Sequence, residues 1–176
     1  MYCPMSERQL VIFCGPPCSG KSTLARKIQE ETGFKSLGLD EIQSRLIPKS
    51  THTNEERDIA YREMHRMAER LLVTGFNVIL DATYARPKML DDLQKLIFAT
   101  NVAAFTLQCR VDPATAIERF WVRLGGHQAR DLTAARVQRL AQEFHYRSFG
   151  LTVDTTRSRE ESLVLIRAYL DGKPRG

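Results

Sequence analysis

The sequence lacks long hydrophobic runs, paired cysteines and internal repeats. No apolar stretch approaches the roughly 20 residues of a membrane-spanning helix, and the polar N-terminus lacks the apolar segment of a secretory signal. We therefore expect a cytoplasmic protein without membrane contact. The 176 residues suffice for one domain with its own core, so we expect residues 1–176 to form a single domain.

The cysteine and histidine patterns exclude the commoner metal and disulfide sites. No two cysteines have C-x-x-C spacing, so we expect reduced thiols at Cys3, Cys14, Cys18 and Cys109. Cys18 lies inside a glycine-containing loop, where it is either a small filler residue or a thiol sensitive to oxidation. The histidines show no metal-ligand spacing, and we expect structural or surface roles for His52, His65, His127 and His145.

Positive charge is in modest excess, with a formal net charge of +5. Such an excess favours polyanionic partners, which include nucleotides and nucleic acids. The basic residues are too dispersed along the chain to identify a nucleic-acid-binding surface. Composition therefore leaves the partner open, and it gives no indication of an oligomeric state.

Strand-like and helix-like segments alternate along the chain. Short apolar runs predict five strands, at Gln9–Cys14, Phe34–Leu39, Asn77–Asp81, Ala103–Val111 and Leu151–Asp154. The segments between them have helical periodicity, so the pattern predicts an α/β fold with a doubly wound, five-stranded parallel sheet. In such a sheet the ligand lies outside the carboxyl ends of the strands. The residues that directly follow each strand are therefore the candidates for function.

The segment after the first strand fits the phosphate-binding pattern G-x-x-x-x-G-K-[ST]. It comprises Gly15, Pro16, Pro17, Cys18, Ser19, Gly20, Lys21 and Ser22, and Thr23 follows. The glycines let backbone N–H groups converge on phosphate oxygens, and the next helix directs its positive end at the same anion. In this pattern the lysine reaches the β- and γ-phosphates and the serine hydroxyl ligates Mg²⁺. The segment therefore predicts a site for a nucleoside triphosphate with Mg²⁺.

Two aspartates follow strands and are candidates for chemistry at that site. Asp40 follows the second strand, where a carboxylate facing the γ-phosphate can orient an acceptor hydroxyl and take its proton. Asp40 is also well placed to cap a helix over Glu41–Leu46, and the two roles are compatible. Asp81 ends the third strand, where we expect it to hold Mg²⁺ or bond the Ser22 hydroxyl rather than serve only as a turn residue.

Arg119 and Arg123 are four residues apart and share one helix face. They precede Gly125-Gly126 and Arg130, a composition typical of a mobile segment. Arginines on a segment that closes over phosphates stabilise the transferring charge and exclude water. We therefore predict an arginine-bearing lid over about residues 119–133, although an ordinary solvated helix face would carry the same residues.

Taken together, these motifs resemble the small P-loop kinases. GPPCSGKST, LGLDEIQSRL, VILDATYARP and RVDPATAIERFWVR are similar to segments of the predicted-kinase family of bacterial ATP-binding proteins and of polynucleotide 5′-hydroxyl kinases. The resemblance covers roughly Gln9 to Leu170, and it extends more distantly to zeta-toxin and chloramphenicol phosphotransferase. It implies the P-loop nucleoside triphosphate hydrolase fold, ATP as the phosphate donor and a hydroxyl group as the acceptor.

The resemblance also implies roles for individual residues. Asp40 would be the general base, while Arg119 and Arg123 would clamp the β- and γ-phosphates. The segment after the last strand would border the adenine, through Thr155, Thr156 or Arg157.

One departure from the family pattern concerns the acceptor. Polynucleotide kinases carry an arginine three residues after the base, and this sequence has Gln43 there. Arg45 lies two residues further along, about 200° around the helix, so it does not simply replace that arginine. The difference favours an acceptor that lacks the phosphate held by the missing arginine.

Three functions stay open at this point. The first is a kinase for a hydroxylated small molecule, which would be held by Asp40, Arg45, Tyr84, Arg86 and the segment Leu46–Asn54. The second is a polynucleotide or RNA 5′-hydroxyl kinase. The third is a nucleotide-dependent regulatory NTPase without an acceptor; the N-K-x-D motif of switch GTPases is absent, and a lid that excludes water fits transfer better than hydrolysis.

Overall fold

The computed structural model describes residues 8–51, 53–124 and 132–172. Within these ranges, five strands form one sheet in the order β2-β3-β1-β4-β5, and every neighbouring pair is parallel. The strands are β1 (Gln9–Cys14), β2 (Lys35–Gly38), β3 (Val78–Asp81), β4 (Ala103–Arg110) and β5 (Leu151–Asp154). The predicted doubly wound, five-stranded parallel sheet is confirmed.

Helices connect the strands and cover the sheet. Those in the described ranges are α1 (Lys21–Thr32), α2 (Leu39–Leu46), α3 (Asn54–Val73), α4 (Pro87–Thr100), α5 (Pro113–Leu124), α6 (Ala134–Glu143) and α7 (Arg159–Leu170). None of these described helices has the length and apolar character needed to cross a membrane.

The central strand β1 is packed on both faces because its successive side chains point to opposite sides of the sheet. Leu10 and Ile12 pack with the helices α3 and α4, whereas Val11 and Phe13 pack with α1 and α7. All four side chains are essentially inaccessible to solvent. The loop that follows β1 therefore starts from the most firmly fixed strand of the sheet.

A smaller apolar cluster joins α5 to α6. Ala116 and Phe120 of α5 pack against Val137 and Ala141 of α6. Helical residues three or four apart share a face, so this packing fixes the rotation of α5 about its own axis. It thereby positions the arginines that α5 carries.

The start of α2 differs from the sequence prediction. The helix begins at Leu39, directly after β2, and Gly38 is its N-cap residue. Asp40 consequently lies inside the first helical turn, and the predicted capping role of this residue is wrong. The start of α2 has no side-chain capping hydrogen bond, so the Asp40 carboxylate is available to other partners.

The helix α6 ends at Glu143, well before β5 begins at Leu151. Phe144 is extended, with φ −69° and ψ 119°. The buried amide of Gln108 in β4 donates from Nε2 to the carbonyls of Arg147 and Phe149, at 3.0 and 2.8 Å. These bonds hold the segment in a non-helical path that leads into β5.

Candidate active site

The phosphate loop, residues 15–23, connects β1 to α1 through a backbone that few residue types tolerate. Gly15 and Gly20 have φ of +146° and +82°, and Cys18 has φ of +59°. Side chains disfavour these conformations. A Cβ atom on Gly15 would lie 2.6 Å from the carbonyl oxygen of Cys109, which is closer than any real contact. Close approach to β4 therefore requires glycine at position 15.

The loop leaves polar groups available for an anion. The helix α1 begins without a side-chain cap and without an acidic residue in its first turn, so its N–H groups and partial positive charge favour an anion there. Lys21 Nζ donates to the Pro16 carbonyl at 2.9 Å, which keeps the ammonium group beside the loop. The Ser19 hydroxyl is fully buried and has no hydrogen-bond partner among the described residues.

Asp81 ends β3 beside this loop, with Phe13 of β1 and Gly38 of β2 as its neighbours in the sheet. Burial raises the pKa of the Asp81 carboxyl group, while the Lys21 charge and a hydrogen bond with Ser22 act in the opposite direction. The buried Oδ1 of Asp81 has no hydrogen-bond partner in the described part of the chain. Asp81 is therefore a largely buried carboxylate whose charge is only partly compensated by the protein.

Ser22 and Asp81 fit a magnesium ion. A hydroxyl and a carboxylate supply hard oxygen ligands, and Mg²⁺ usually takes only one or two of these from a protein while phosphates and water complete its shell. The unpartnered Oδ1 of Asp81 is a buried acceptor that such a cation would satisfy. Among the described residues, no group of three or more His, Cys, Asp or Glu side chains could bind a metal. A magnesium ion here would therefore depend on the phosphates of the nucleotide.

Asp40 lines the same cleft as the phosphate loop. Its side chain is 82% exposed, and its Oδ1 lies 3.8 Å from Nη2 of Arg57, in the first turn of α3. Gly38, two residues before Asp40, is the sheet neighbour of Asp81, and both carboxylates line the cleft. The negative charge of Asp40 contributes to the raised pKa of Asp81. An exposed carboxylate in this position is suited to accept a proton from a hydroxyl group bound in the cleft.

The two arginines of α5 have different surroundings. Arg119 donates to the Thr155 carbonyl, to the Thr155 hydroxyl at 3.1 Å and to the Cys18 carbonyl at 3.4 Å. These bonds tie α5 to the phosphate loop and to the segment after β5. Arg123 lies one turn later and lines the cleft, where its charge acts on Asp81. The structure thus brings both arginines to the site, one anchored at its wall and one facing its interior.

The cysteines near the site are buried or half-buried free thiols. Burial raises the pKa of Cys14 to about 11 and that of Cys109 to about 12. Burial also raises the pKa of the Cys18 thiol, although Arg123, Lys21 and Arg119 act against it. A raised pKa disfavours the reactive thiolate, which favours the interpretation of Cys18 as a filler residue.

A single cleft of about 1670 Å³ joins these residues. Its lining extends from the phosphate loop to α2, the first turn of α3 and the start of α4, and it includes Thr155 and Arg157 after β5. Among the described residues that line it, nine are lysine or arginine and three are aspartate or glutamate. The cleft therefore carries a larger positive excess than the +5 of the whole chain.

Two residues predicted to contact the acceptor do not line the cleft. The Tyr84 side chain is 2% exposed, and its hydroxyl lies 2.9 Å from His65 Nε2. Arg45 pairs with Glu41 at 2.6 Å, and its side chain is 78% exposed and lies outside the cleft lining. The structure corrects both predictions, since one side chain is in the core and the other is on the outer surface.

The unusual backbone of Tyr84 explains its burial. Its φ of +50° turns the chain sharply after β3. Its N–H donates to the Tyr61 hydroxyl at 2.9 Å, and the preceding Thr83 carbonyl accepts the N–H of Gly15 at 3.3 Å. Backbone groups of this turn thus support the phosphate loop while the Tyr84 ring points inward.

Arg86, which the sequence also predicts to contact the acceptor, does line the cleft. It forms a short ion pair with Asp58, which also accepts from Lys88 Nζ at 2.8 Å. Sequence reasoning missed Arg57, the neighbour of Asp58 on α3. The sequence feature that points to Arg57 is its position four residues before Tyr61, which is buried. That spacing places Arg57 on the inner face of α3.

Several predicted features lie at or beyond the limits of the described residues. Arg157 lines the cleft, whereas the Thr156 hydroxyl is bonded to Asp154 at 2.6 Å. Residues 125–131, which include Arg130 and most of the predicted lid, are outside the described ranges, as are Cys3, His52 and His127.

Comparisons with known proteins agree with this geometry. Residues 10–161 match AAA_33, an AAA domain family. An uncharacterised protein of Mycobacterium tuberculosis is 30% identical over 88% of this chain, and the match covers 33% of that protein. The adenylate kinase of Thermus thermophilus is 33% identical over 50% of this chain and 54% of its own length. The chain thus spans about a third of the length of the mycobacterial relative.

Solved structures share the fold at lower sequence identity. The APS kinase of Mycobacterium tuberculosis, in complex with AMPPNP and APS, has a TM-score of 0.72 at 19% identity, covering 94% of this chain and 98% of that chain. A sugar kinase from Janibacter has a TM-score of 0.70 at 17% identity and 96% coverage of both chains. A Pnkp1/Rnl/Hen1 RNA repair complex gives 0.64 at 20% identity, covering 78% of this chain and 44% of that chain. The chain therefore belongs to the AAA_33 family of AAA domains and is a kinase-like P-loop domain.

Proposed function

We propose that this domain is an ATP-dependent kinase that transfers the γ-phosphate to a hydroxyl group of a small molecule. The observation that carries the proposal is the single cleft, because it joins a phosphate loop to the exposed carboxylate of Asp40. A domain that only hydrolysed or sensed a nucleotide would not need an open acceptor space beside that carboxylate.

The nucleotide half of the cleft supplies binding and charge compensation. The backbone of the phosphate loop and the N-terminus of α1 would hold the phosphates, and Lys21 would move from the Pro16 carbonyl to the β- and γ-phosphates. Ser22 and Asp81 would hold Mg²⁺, which supplies compensation of the charge on the phosphate oxygens when bound. Arg157 and Thr155 lie at the end of the cleft that would receive the base.

The transfer step would rest on Asp40 and Arg123. The oxygen of the acceptor hydroxyl attacks the γ-phosphorus while Asp40 accepts the hydroxyl proton. The bond from that phosphorus to the bridging oxygen of ADP breaks. Arg123 stabilises charge on the transferred group, whereas Arg119 is committed to Cys18 and Thr155 and holds α5 against the nucleotide. The remainder of the predicted lid, to about residue 133, would exclude water during transfer.

Named relatives support a small-molecule acceptor. The adenylate kinase is similar in sequence to half of this chain. The APS kinase and the sugar kinase are similar to this chain in fold. The AMPPNP complex of the APS kinase supports ATP as the donor here. The acceptors of these proteins differ from one another, so the fold supports the reaction type and not the identity of the acceptor.

An ATP-consumption screen tests the proposal. Sugars, sugar acids, nucleosides, antibiotics and hydroxyl-ended oligonucleotides are added one at a time to the protein with Mg²⁺ and ATP. We expect at least one small molecule to raise consumption well above background, and Lys21→Ala to abolish the increase. Lys27→Ala is the matched control, since Lys27 is also on α1 but pairs with Glu30 at the surface. Consumption that no compound raises, while wild-type protein still binds ATP, would favour a regulatory NTPase.

A polynucleotide 5′-hydroxyl kinase is the second candidate, supported by the positive excess of the cleft and by the fold shared with the RNA repair complex. It predicts that binding of a hydroxyl-ended oligonucleotide weakens steeply with salt, since each neutralised phosphate releases a counterion. Binding that is absent, or flat between low and moderate salt, excludes this candidate.

A further inference from the structure

Arg57 is a half-buried cation without a close partner in the described part of the chain. Its side chain is 27% exposed, and its one ion pair there is the 3.8 Å approach to Asp40, which exceeds hydrogen-bond length. A guanidinium group has five N–H donors, and leaving them unsatisfied in a partly buried position is costly. Because Arg57 lines the cleft, its free donors are available to whatever binds there.

The neighbouring cations have close carboxylate partners, unlike Arg57. The neighbouring carboxylate of Asp58 pairs with two other cations, Arg86 and Lys88, at the start of α4. Among the described residues, Asp58 thus pairs with both of those cations, whereas no carboxylate lies within hydrogen-bond distance of Arg57. On α2, Arg45 is paired with Glu41 and lies outside the cleft, whereas Arg57 on α3 and Lys49 after α2 line it.

The start of α4 adds a second positive feature at the same end. This helix begins after Arg86 without a side-chain cap and without an acidic residue in its first turn, and both Arg86 and Met89 line the cleft. The first turn of α4 therefore supplies no negative charge of its own to the helix N-terminus, and the nearby carboxylate of Asp58 is shared between Arg86 and Lys88. The cleft as a whole has nine basic and three acidic lining residues among those described, and a nucleotide bound with Mg²⁺ offsets only part of that surplus.

We infer that the acceptor carries an anionic group, either a carboxylate or a phosphate, and that Arg57 binds it beside the Asp40 base. The inference rests on the proposed phosphotransfer. A bidentate arginine contact to a planar anion is well suited to fix the acceptor, because it sets orientation as well as affinity. With the anion on Arg57, a hydroxyl elsewhere on the same molecule lies within reach of Asp40, since the two side chains are 3.8 Å apart.

Matched acceptor pairs test the inference. A sugar and its sugar acid test a carboxylate, and a nucleoside and its 3′-monophosphate test a phosphate. We expect an anionic member to be phosphorylated with at least about tenfold higher kcat/KM than its neutral partner. Arg57→Gln should raise KM for that member by about 10- to 100-fold, the loss typical of a charge-assisted hydrogen bond, with kcat close to wild type. Arg57→Lys should restore part of the loss.

Arg66→Gln is the matched control, because Arg66 is also on α3 but points to solvent and does not line the cleft. At saturating ATP, inorganic sulfate should compete with the anionic acceptor in the wild-type protein, a measurement that does not depend on a variant folding. Equal or better use of the neutral partners, or no competition by sulfate, overturns the inference while leaving phosphotransfer intact. A fall in kcat without a change in KM in Arg57→Gln also overturns it, because Arg57 would then act through Asp40.

Failure of the proposed function has a different signature. In that case no member of any pair raises ATP consumption, although ATP still binds in a manner that depends on Lys21. That result would contradict the proposed phosphotransfer on which the inference rests. Phosphorylation of the neutral acceptors would contradict only the inference that the acceptor carries an anionic group.

Discussion

The two halves of the cleft are built differently. The proposed nucleotide half is built around backbone, namely a loop held by Gly15 against β4 and the start of α1, with Lys21, Ser22 and other charged side chains around it. The proposed acceptor half is lined by side chains from α2, α3 and the start of α4, and the ion pair of Arg86 with Asp58 joins α3 to the start of α4.

This difference has a consequence for specificity. A backbone cradle recognises phosphate whatever the side chains around it, so it is compatible with many acceptors. Side chains on three separate helices can be replaced one at a time, and each replacement alters the acceptor without disturbing the nucleotide. The comparison predicts that changes in the acceptor half affect transfer and acceptor binding, whereas changes in the phosphate loop affect folding and ATP binding together.

The largest effect is expected from Asp40→Asn, which removes the proposed base and leaves the phosphate loop untouched. The turnover number should fall by about 10²- to 10⁴-fold, the usual contribution of general base catalysis. ATP affinity should stay almost unchanged, because Asp40 lies in α2 and makes no bond to the loop. Steady-state kinetics and calorimetric ATP titration measure the two quantities.

Glu69→Gln is the matched control for that variant, since Glu69 is an exposed carboxylate on α3 that does not line the cleft. Its turnover should equal that of the wild type. Wild-type turnover in Asp40→Asn itself would remove Asp40 from the mechanism, and a parallel loss of ATP affinity would contradict the separation of the two halves.

The next effect concerns the backbone of the nucleotide half. Gly15→Ala would place a Cβ atom 2.6 Å from the Cys109 carbonyl at a φ of +146°, so the loop or β4 must shift. We expect the free energy of unfolding to fall by more than about 3 kcal/mol, with loss of ATP binding in the protein that remains folded. Chemical denaturation and ATP titration provide the measurements.

Gly33→Ala separates strain from collision, because Gly33 has a φ of +72° but open space around its Cα. That variant should lose only about 1–2 kcal/mol, the cost of a left-handed conformation for a residue with a side chain. If the two variants were equally destabilised, contact with β4 would not be what requires glycine at position 15.

The same contrast explains how much could be predicted from the sequence. The order of elements, the parallel sheet and the phosphate loop follow from local patterns, since each depends on residues that are close in the chain. Arg119 and Arg123 were also identified as a pair. Their different roles were not, because the bonds of Arg119 to Cys18 and Thr155 join segments that are distant in sequence.

The acceptor half was predicted less well for a physical reason. Tyr84 follows a strand and was expected in the cleft, but one residue with φ of +50° sends its ring into the core. Arg45 is the arginine nearest to Asp40 in sequence, whereas Arg57 from another helix is the one that lies beside it. Side-chain direction at a turn and the docking of two helices depend on tertiary packing, which a local pattern does not encode.

A smaller effect is expected from Tyr84→Phe, which tests the assignment of this residue to the core. Removing the hydroxyl leaves His65 Nε2 without its partner in a largely buried position, so stability should fall by about 1–2 kcal/mol. The bond from the Tyr84 N–H to Tyr61 is kept, and the turn that supports Gly15 should persist. Acceptor KM, measured with the best compound from the screen, should therefore not change. An increase in KM of tenfold or more would return Tyr84 to the acceptor site.

The smallest effect is expected from Arg45→Gln, which removes an exposed pair with Glu41. Such i,i+4 pairs contribute at most about 0.5 kcal/mol, and solvent and salt screen them, so denaturation should barely detect the change. Acceptor KM should also equal that of the wild type, because Arg45 lies outside the cleft. Arg57→Gln removes the same charge from the neighbouring helix and should raise KM strongly. The arginine that contacts the acceptor would then be the one near Asp40 in space, not the one near it in sequence. Equal effects of the two substitutions on KM would refute this arrangement of the acceptor half.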